Sequence, residues 1–85
     1  MSSQNNNADA YEMAQLALAQ MKAAVYMVLA SNRSNGLRNV DIGRSLRIYH
    51  GHARHEGHIS RSLLAMMEND GVIEQDDQTK TWKLI

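Results

Sequence analysis

The chain has 85 residues, of which 44% are hydrophobic and 21% are charged, a balance typical of one globular domain rather than of a disordered or fibrous chain. It contains no cysteine, which excludes disulfides, thiol catalysis and cysteine-ligated zinc. Its formal net charge is zero, which by itself argues against a nucleic-acid partner. These features are typical of a small cytoplasmic protein, and the cytoplasm is the localisation that we predict.

The charges are nevertheless segregated along the chain. Residues 33–61 hold six arginines against two carboxylates, a net charge of +4, together with all four histidines. The segments before and after carry net charges of −1 and −3. Because the planar guanidinium group suits phosphates and guanine edges, this distribution predicts a basic surface formed by the middle of the chain.

A long N-terminal helix is predicted from Asp9 to about Ser31. The polar residues 1–8 predict a disordered tail, and Asp9 is a good N-cap. The segment contains neither glycine nor proline. Its most apolar part includes Gln20 and Lys22, so we predict neither a signal peptide nor a membrane span.

This helix carries two apolar stripes. The first has the spacing of a buried face and consists of Tyr11, Ala14, Leu18, Met21, Val25, Val28 and Leu29. The second lies beside it and consists of Met13, Ala17, Ala24 and Met27. Because a domain of this size cannot cover both stripes, the second predicts a homodimer through the N-terminal helix. The alternative is that these side chains are simply exposed.

A short second helix is predicted after the polar turn that contains Gly36. Asn39 is its predicted N-cap, and Asp41 in the first turn complements the helix dipole. The apolar contacts come from Val40, Ile42 and Leu46. Gly43 lowers helix propensity, which indicates a close crossing by another helix.

A third helix is predicted from His58 to Asn69, after a glycine- and histidine-rich loop over residues 47–57. Its predicted buried stripe consists of Ile59, Leu63, Met66 and Met67. The glycine of Asn69-Asp70-Gly71 is free to adopt the left-handed conformation that ends a helix.

Two short strands are predicted at residues 72–75 and 81–85, around a polar turn. The pair predicts a β-hairpin. Because an isolated hairpin is marginally stable, Ile73, Trp82 and Leu84 are expected to pack on the helices.

Three segments together resemble a bacterial winged helix-turn-helix domain. "NVDIGRSL" is similar to its second helix, "HISRSLLAMMENDGVIEQ" to its recognition helix and first wing strand, and "TKTWKLI" to its returning strand. The resemblance covers residues 9–85 and is similar in pattern to MarR- and ArsR-type domains. It implies a mainly α fold, a three-helix bundle with a two-stranded wing, in a regulator of transcription that binds double-stranded DNA. The alternative is a winged-helix adaptor that binds protein and does not read DNA directly.

If the third helix enters a major groove, its N-terminal side chains meet the bases. The predicted base contacts are His58, Ser60, Arg61 and Ser62. The predicted phosphate contacts are Arg38, Arg44, Arg47, Arg54 and Lys80. Asp76 and Asp77 make the wing tip acidic, which disfavours contact between the wing and DNA.

The histidine cluster has two interpretations. His50, His52, His55 and His58, with Glu56, could surround a metal ion, but their spacing matches no standard zinc motif. We favour a role in which the histidines gain charge as the pH falls, which predicts tighter DNA binding near pH 6 than near pH 8. No nucleophile elbow, phosphate loop or paired-carboxylate motif is present, so we predict neither an enzyme nor a cofactor.

Overall fold

Three helices followed by an antiparallel hairpin make up the fold. The computed structural model describes residues 3–49 and 56–85, with side chains from residue 6 onward. The elements in chain order are α1 (Ser3–Ala30), α2 (Asn39–Ser45), α3 (His58–Asn69), β1 (Ile73–Gln75) and β2 (Trp82–Leu84). The predicted mainly helical fold with a small β-hairpin is therefore confirmed.

The helix α1 starts earlier than its sequence predicts. It begins at Ser3, so the predicted start at Asp9 is wrong, and residues 3–8 are helical rather than a disordered tail. Asp9 lies inside the helix and does not cap it. With 28 residues, α1 is about 42 Å long, which accounts for most of the 52 Å long axis of the molecule.

The core draws side chains from every element. Val25 and Leu29 of the C-terminal half of α1 are completely buried. The other buried apolar residues are Ile42, Leu63, Leu64, Met67, Ile73 and Trp82. Tyr11, predicted to be buried, is 67% exposed because the N-terminal half of α1 extends beyond the other elements, and Ala14 is exposed for the same reason.

The hairpin is joined to the chain segment that precedes α2. Within the hairpin, Ile73 pairs with Leu84 and Gln75 with Trp82. Leu37 and Trp82 also exchange two backbone hydrogen bonds, with N···O distances of 3.0 and 2.7 Å. This bridge, which the sequence analysis missed, attaches the hairpin beside the start of α2. As predicted, Leu84 and the buried Ile73 and Trp82 pack on the helices.

The turn between the strands is held by Asp76. Its Oδ1 atom accepts hydrogen bonds from the backbone N–H groups of Gln78 and Thr79, both at 2.8 Å. The Thr79 and Gln78 N–H groups stabilise the ionised carboxylate and so lower the pKa of Asp76. The tip of the hairpin therefore stays negatively charged.

One described segment, Asn6–Ala30, has the length and apolar composition of a helix that could cross a membrane. A core helix of a soluble protein and an N-terminal signal sequence have the same properties, so this is weak support for a membrane. Val25 and Leu29 of this segment belong to the core of the domain.

Candidate nucleic-acid interface

The helices α2 and α3 cross closely at Gly43. A Cβ atom on Gly43 would lie 2.8 Å from the Tyr49 ring and 2.9 Å from the Ser60 hydroxyl oxygen, closer than packed atoms allow. The predicted close crossing at this glycine is confirmed. The contact fixes the start of α3 relative to α2.

Tyr49 links this crossing to a basic side chain. Its ring also covers Gly57, which precedes α3 with a φ of 81°, and a Cβ atom there would lie 2.6 Å from the ring. The guanidinium carbon of Arg44 lies 5.5 Å from the ring centroid, within the range of a cation–π interaction. Tyr49 therefore holds Arg44 close to the N-terminus of α3, a role that the sequence analysis missed.

Ser60 does not face outward. The residue is completely buried, and its hydroxyl group donates a hydrogen bond of 3.1 Å to the carbonyl oxygen of Gly57. The prediction that Ser60 contacts bases is wrong because its side chain fills the space that Gly43 leaves between the two helices. Ser60 instead stabilises the first turn of α3.

The buried stripe of α3 is rotated relative to its prediction. Leu63 and Met67 are buried as predicted and Met66 is partly buried, but Ile59 is 41% exposed and Leu64 is only 1% exposed. The prediction that Ile59 is buried is therefore wrong, because the side of α3 that carries Ser60 and Leu64 packs against the rest of the domain instead.

The exposed face at the start of α3 retains three of the four predicted base contacts. His58, Arg61 and Ser62 are all exposed. The Nη2 atom of Arg61 donates a hydrogen bond of 3.1 Å to the Glu56 carbonyl oxygen, which holds its guanidinium group beside the N-terminus of α3. The Arg61 guanidinium group therefore lies beside the residue that precedes Gly57.

Arg38 is engaged by a carboxylate of its own chain. Its Nε atom lies 3.3 Å from Asp41 Oδ2, and the same oxygen accepts the Arg38 backbone N–H at 3.1 Å. The Arg38 hydrogen bond is the largest cause of the lowered pKa of Asp41, and the charge of Arg44 adds to it. The local charge that Arg38 offers a phosphate is thereby reduced.

The predicted N-cap of α2 is also corrected. Arg38 is the N-cap residue, and Asn39 is the first residue of the helix. The Asn39 side chain reaches across to α3, where its Nδ2 atom lies 3.4 Å from the Gly57 carbonyl oxygen. Asn39 therefore bridges the two helices rather than capping one of them.

The remaining predicted phosphate contacts are dispersed. Arg47 is exposed just after α2, with a φ of 57°. Lys80 is exposed in the hairpin turn, close in sequence to the carboxylates of Asp76 and Asp77. Arg54 lies outside the described residues, as do His50, His52 and His55. Arg44 therefore contacts the Tyr49 ring, Arg61 contacts the Glu56 carbonyl oxygen just before α3, and Lys80 lies on the acidic hairpin.

Three of the four predicted dimer residues are exposed. Met13 and Met27 are 72% and 68% exposed, and Ala17 is also exposed. Ala24 is partly buried and lines an apolar groove of about 330 Å³ with Leu46 and Ile48. Ala24 thus faces α2 rather than directly away from the core.

Comparison with known proteins gives no family for this chain: no family model, no curated protein and no solved structure matches it significantly. Within residues 3–49 and 56–85, no group of three or more histidine, aspartate or glutamate side chains is placed to hold a metal ion.

Proposed function

We propose that this chain is a winged helix-turn-helix protein that binds duplex DNA and regulates transcription, with α3 in the major groove. The observation that carries the proposal is the N-terminal face of α3, where Arg61 and Ser62 are exposed. Arg44 adds a second guanidinium group, which contacts the Tyr49 ring that lies against Gly57. Arginine at a helix start can bind guanine edges with two hydrogen bonds, and a serine hydroxyl allows close approach.

Within the described part of the chain, three arginines near this face are not engaged by carboxylates of their own chain. Among the described residues, Arg44, Arg47 and Arg61 form no salt bridge, whereas Arg38 does. Within the same residues Gly57 gives α3 no side-chain cap, and the positive end of a helix dipole attracts anions. A DNA backbone that follows this face would be bound by the arginines and by the start of α3.

The architecture is compatible with this proposal and limits the proposed DNA contacts to α2 and α3. The hairpin follows α3 directly and is tied to the start of α2 through Leu37 and Trp82, which forms a compact support for α3. The connection between α2 and α3 has 12 residues, longer than the three or four of a compact helix-turn-helix. Because the hairpin tip is acidic, α2 and α3 make the proposed contacts and the hairpin does not.

Selection from a random duplex library tests the proposal. We expect a preferred sequence to emerge, with an affinity on the order of 10⁻⁸ M or tighter at physiological salt, at least about 10³-fold above non-specific binding. Failure of any sequence to be enriched over the starting library would contradict it.

The salt dependence of binding tests the role of Arg44. Arg44→Ala should weaken binding to all sequences alike and reduce the slope of log K against log salt by about 1, because one phosphate contact is lost. Arg33→Ala removes the same charge from the turn after α1 and serves as the matched control. Equal slopes for the two variants would contradict a phosphate contact by Arg44.

The rival function is a winged-helix adaptor that binds an acidic protein through the same arginines. The exposed apolar surface of α1 and the acidic hairpin are the features that favour it. Competition separates the two functions. If Arg61 reads DNA, the selected duplex displaces an acidic peptide pool from the wild-type chain and not from an Arg61→Ala chain.

A further inference from the structure

A regular seam of side chains lies on the side of α1 that faces away from the core. Its members follow each other at alternating distances of three and four residues, and all of them are exposed. They are Met13, Leu16, Gln20, Ala23 and Met27, and we call this set the α1 seam.

The spacing of the α1 seam is that of a coiled coil. Alternating steps of three and four residues keep side chains in line where two helices wrap around each other. The residues that α1 gives to the domain lie on its opposite side and include Leu18, Met21, Val25 and Leu29. The helix therefore has two apolar sides, and its own chain covers one of them.

The N-terminal part of α1 has no cover within the described residues. Every side chain from residue 6 to residue 17 is exposed, which corresponds to a helical projection of about 18 Å. A helix of this length is marginal in water without tertiary contacts. Pairing through the α1 seam would supply those contacts.

We infer that the α1 seam binds a second copy of this chain, with the two α1 helices antiparallel around a two-fold axis near Gln20 and Ala23. In this arrangement the projecting half of one helix lies along the body of the partner, where Ala23 and Met27 are exposed. Each copy thereby covers the part of the other that has no contacts. The inference does not depend on DNA binding.

The charges at the two ends of α1 favour the antiparallel orientation. The N-terminal third carries Asp9 and Glu12, and Arg33 is exposed just beyond the C-terminus. Lys22 is already ion-paired with Asp70 at 3.0 Å. An antiparallel pair brings Arg33 of one copy towards Asp9 of the other, whereas a parallel pair places like carboxylates side by side. The attraction between two antiparallel helix dipoles also favours this orientation.

The available area is sufficient for a specific but modest dimer. Met13, Leu16 and Met27 are 72%, 61% and 68% exposed. With the neighbouring Ala17, Gln20, Ala23 and Tyr26, the face offers about 500 Å² per copy, or about 1,000 Å² for both. This total is at the lower limit for a specific protein–protein interface, which is about 1,000 Å². The dimer should therefore dissociate on dilution.

Sedimentation velocity without DNA tests the pairing. The wild-type mass should rise with concentration from 9.6 kDa towards twice that value. Leu16→Glu should keep the chain monomeric, and Gln20→Leu should shift dissociation to at least 10-fold lower concentration. Ile85→Glu changes a 73% exposed apolar residue of the hairpin in the same way and is the matched control. Circular dichroism confirms that each variant is folded. A wild-type chain that stays monomeric at millimolar concentration, or a Leu16→Glu chain that dimerises normally, would overturn the inference.

Cross-linking tests the orientation, and the absence of native cysteine makes single-cysteine variants unambiguous. In the antiparallel pair, two copies of Met13→Cys hold their cysteines about 25 Å apart, too far for a short bis-maleimide. A mixture of Met13→Cys and Met27→Cys brings unlike cysteines together and should cross-link at least 10-fold faster than either variant alone. Rapid cross-linking of Met13→Cys with itself would overturn the antiparallel orientation.

Discussion

The two faces of α3 differ in what they contact, although they belong to the same 12-residue helix. One face buries Ser60, Leu63, Leu64 and Met67 against the rest of the domain. The other exposes His58, Arg61 and Ser62 around the helix start. The comparison teaches that the side chains that stabilise the domain and those that we propose to bind DNA are different side chains of one element. Substitutions on the two faces should therefore affect different measurements.

The largest expected effect is on the buried face. Leu64 is 1% exposed, so Leu64→Ala removes buried methyl groups and leaves a cavity, at a cost of about 2–5 kcal/mol. For a chain of this length the total free energy of unfolding is about 4–13 kcal/mol, so the loss is a large fraction of it. Urea unfolding measures the change. Glu68→Ala, on the exposed side of the same helix, should change the free energy of unfolding by no more than about 0.5 kcal/mol. Equal losses for both variants would contradict the distinction between the two faces.

A pair of serines two residues apart sharpens the comparison. Ser60→Ala removes the buried hydrogen bond to Gly57 and should lower the free energy of unfolding by about 1 kcal/mol. Ser62→Ala should leave stability unchanged and weaken binding to the selected duplex instead. Urea unfolding and fluorescence anisotropy on both variants check the contrast. A drop in stability for Ser62→Ala alone would reverse the assignment.

The smallest expected effect concerns Asp41 at the start of α2. Its pKa is lowered in the folded chain, chiefly by Arg38, so its contribution to stability is present above about pH 4 and disappears as the pH falls through the folded-state pKa. Asp41→Asn should therefore cost at most about 1 kcal/mol near pH 7, since the pair is partly exposed to solvent, and nothing near pH 2.

Thermal unfolding at several pH values follows this difference. Asp77→Asn makes the same charge change at the exposed hairpin tip and serves as its control. A destabilisation by Asp41→Asn that is as large at pH 2 as at pH 7 would contradict the role of the ionised carboxylate.

The ends of α3 and the turn that follows could be predicted because their signals are local. Gly71 adopts a φ of 78°, as its position after Asn69 and Asp70 predicts. The Arg38–Asp41 pair also has a local signal, since opposite charges three residues apart meet at a helix start. That spacing was available in the sequence and would have shown that Arg38 is a weak candidate for phosphate.

The error on α3 and the two contacts that the sequence analysis missed have tertiary causes. The periodicity of α3 predicts a buried stripe but does not fix its rotation, which depends on tertiary contacts such as the space that Gly43 leaves for Ser60. Tyr49 gave no signal as a partner of Arg44, because their contact depends on the path of the chain after α2. In the bridge between Leu37 and Trp82, the segment before α2 contributes a single residue, which is too short for a strand pattern to be visible in the sequence.

The most direct test of the central claim compares two arginines on the selected duplex. Arg61→Ala should weaken binding by about 1–3 kcal/mol, with the loss concentrated at one position of the selected site and little change on non-specific DNA. Arg33→Ala, with the same loss of charge in the turn after α1, should bind the selected site within about 0.5 kcal/mol of wild type. If Arg61→Ala binds the selected duplex as tightly as Arg33→Ala does, α3 does not read the DNA and the proposed function is contradicted.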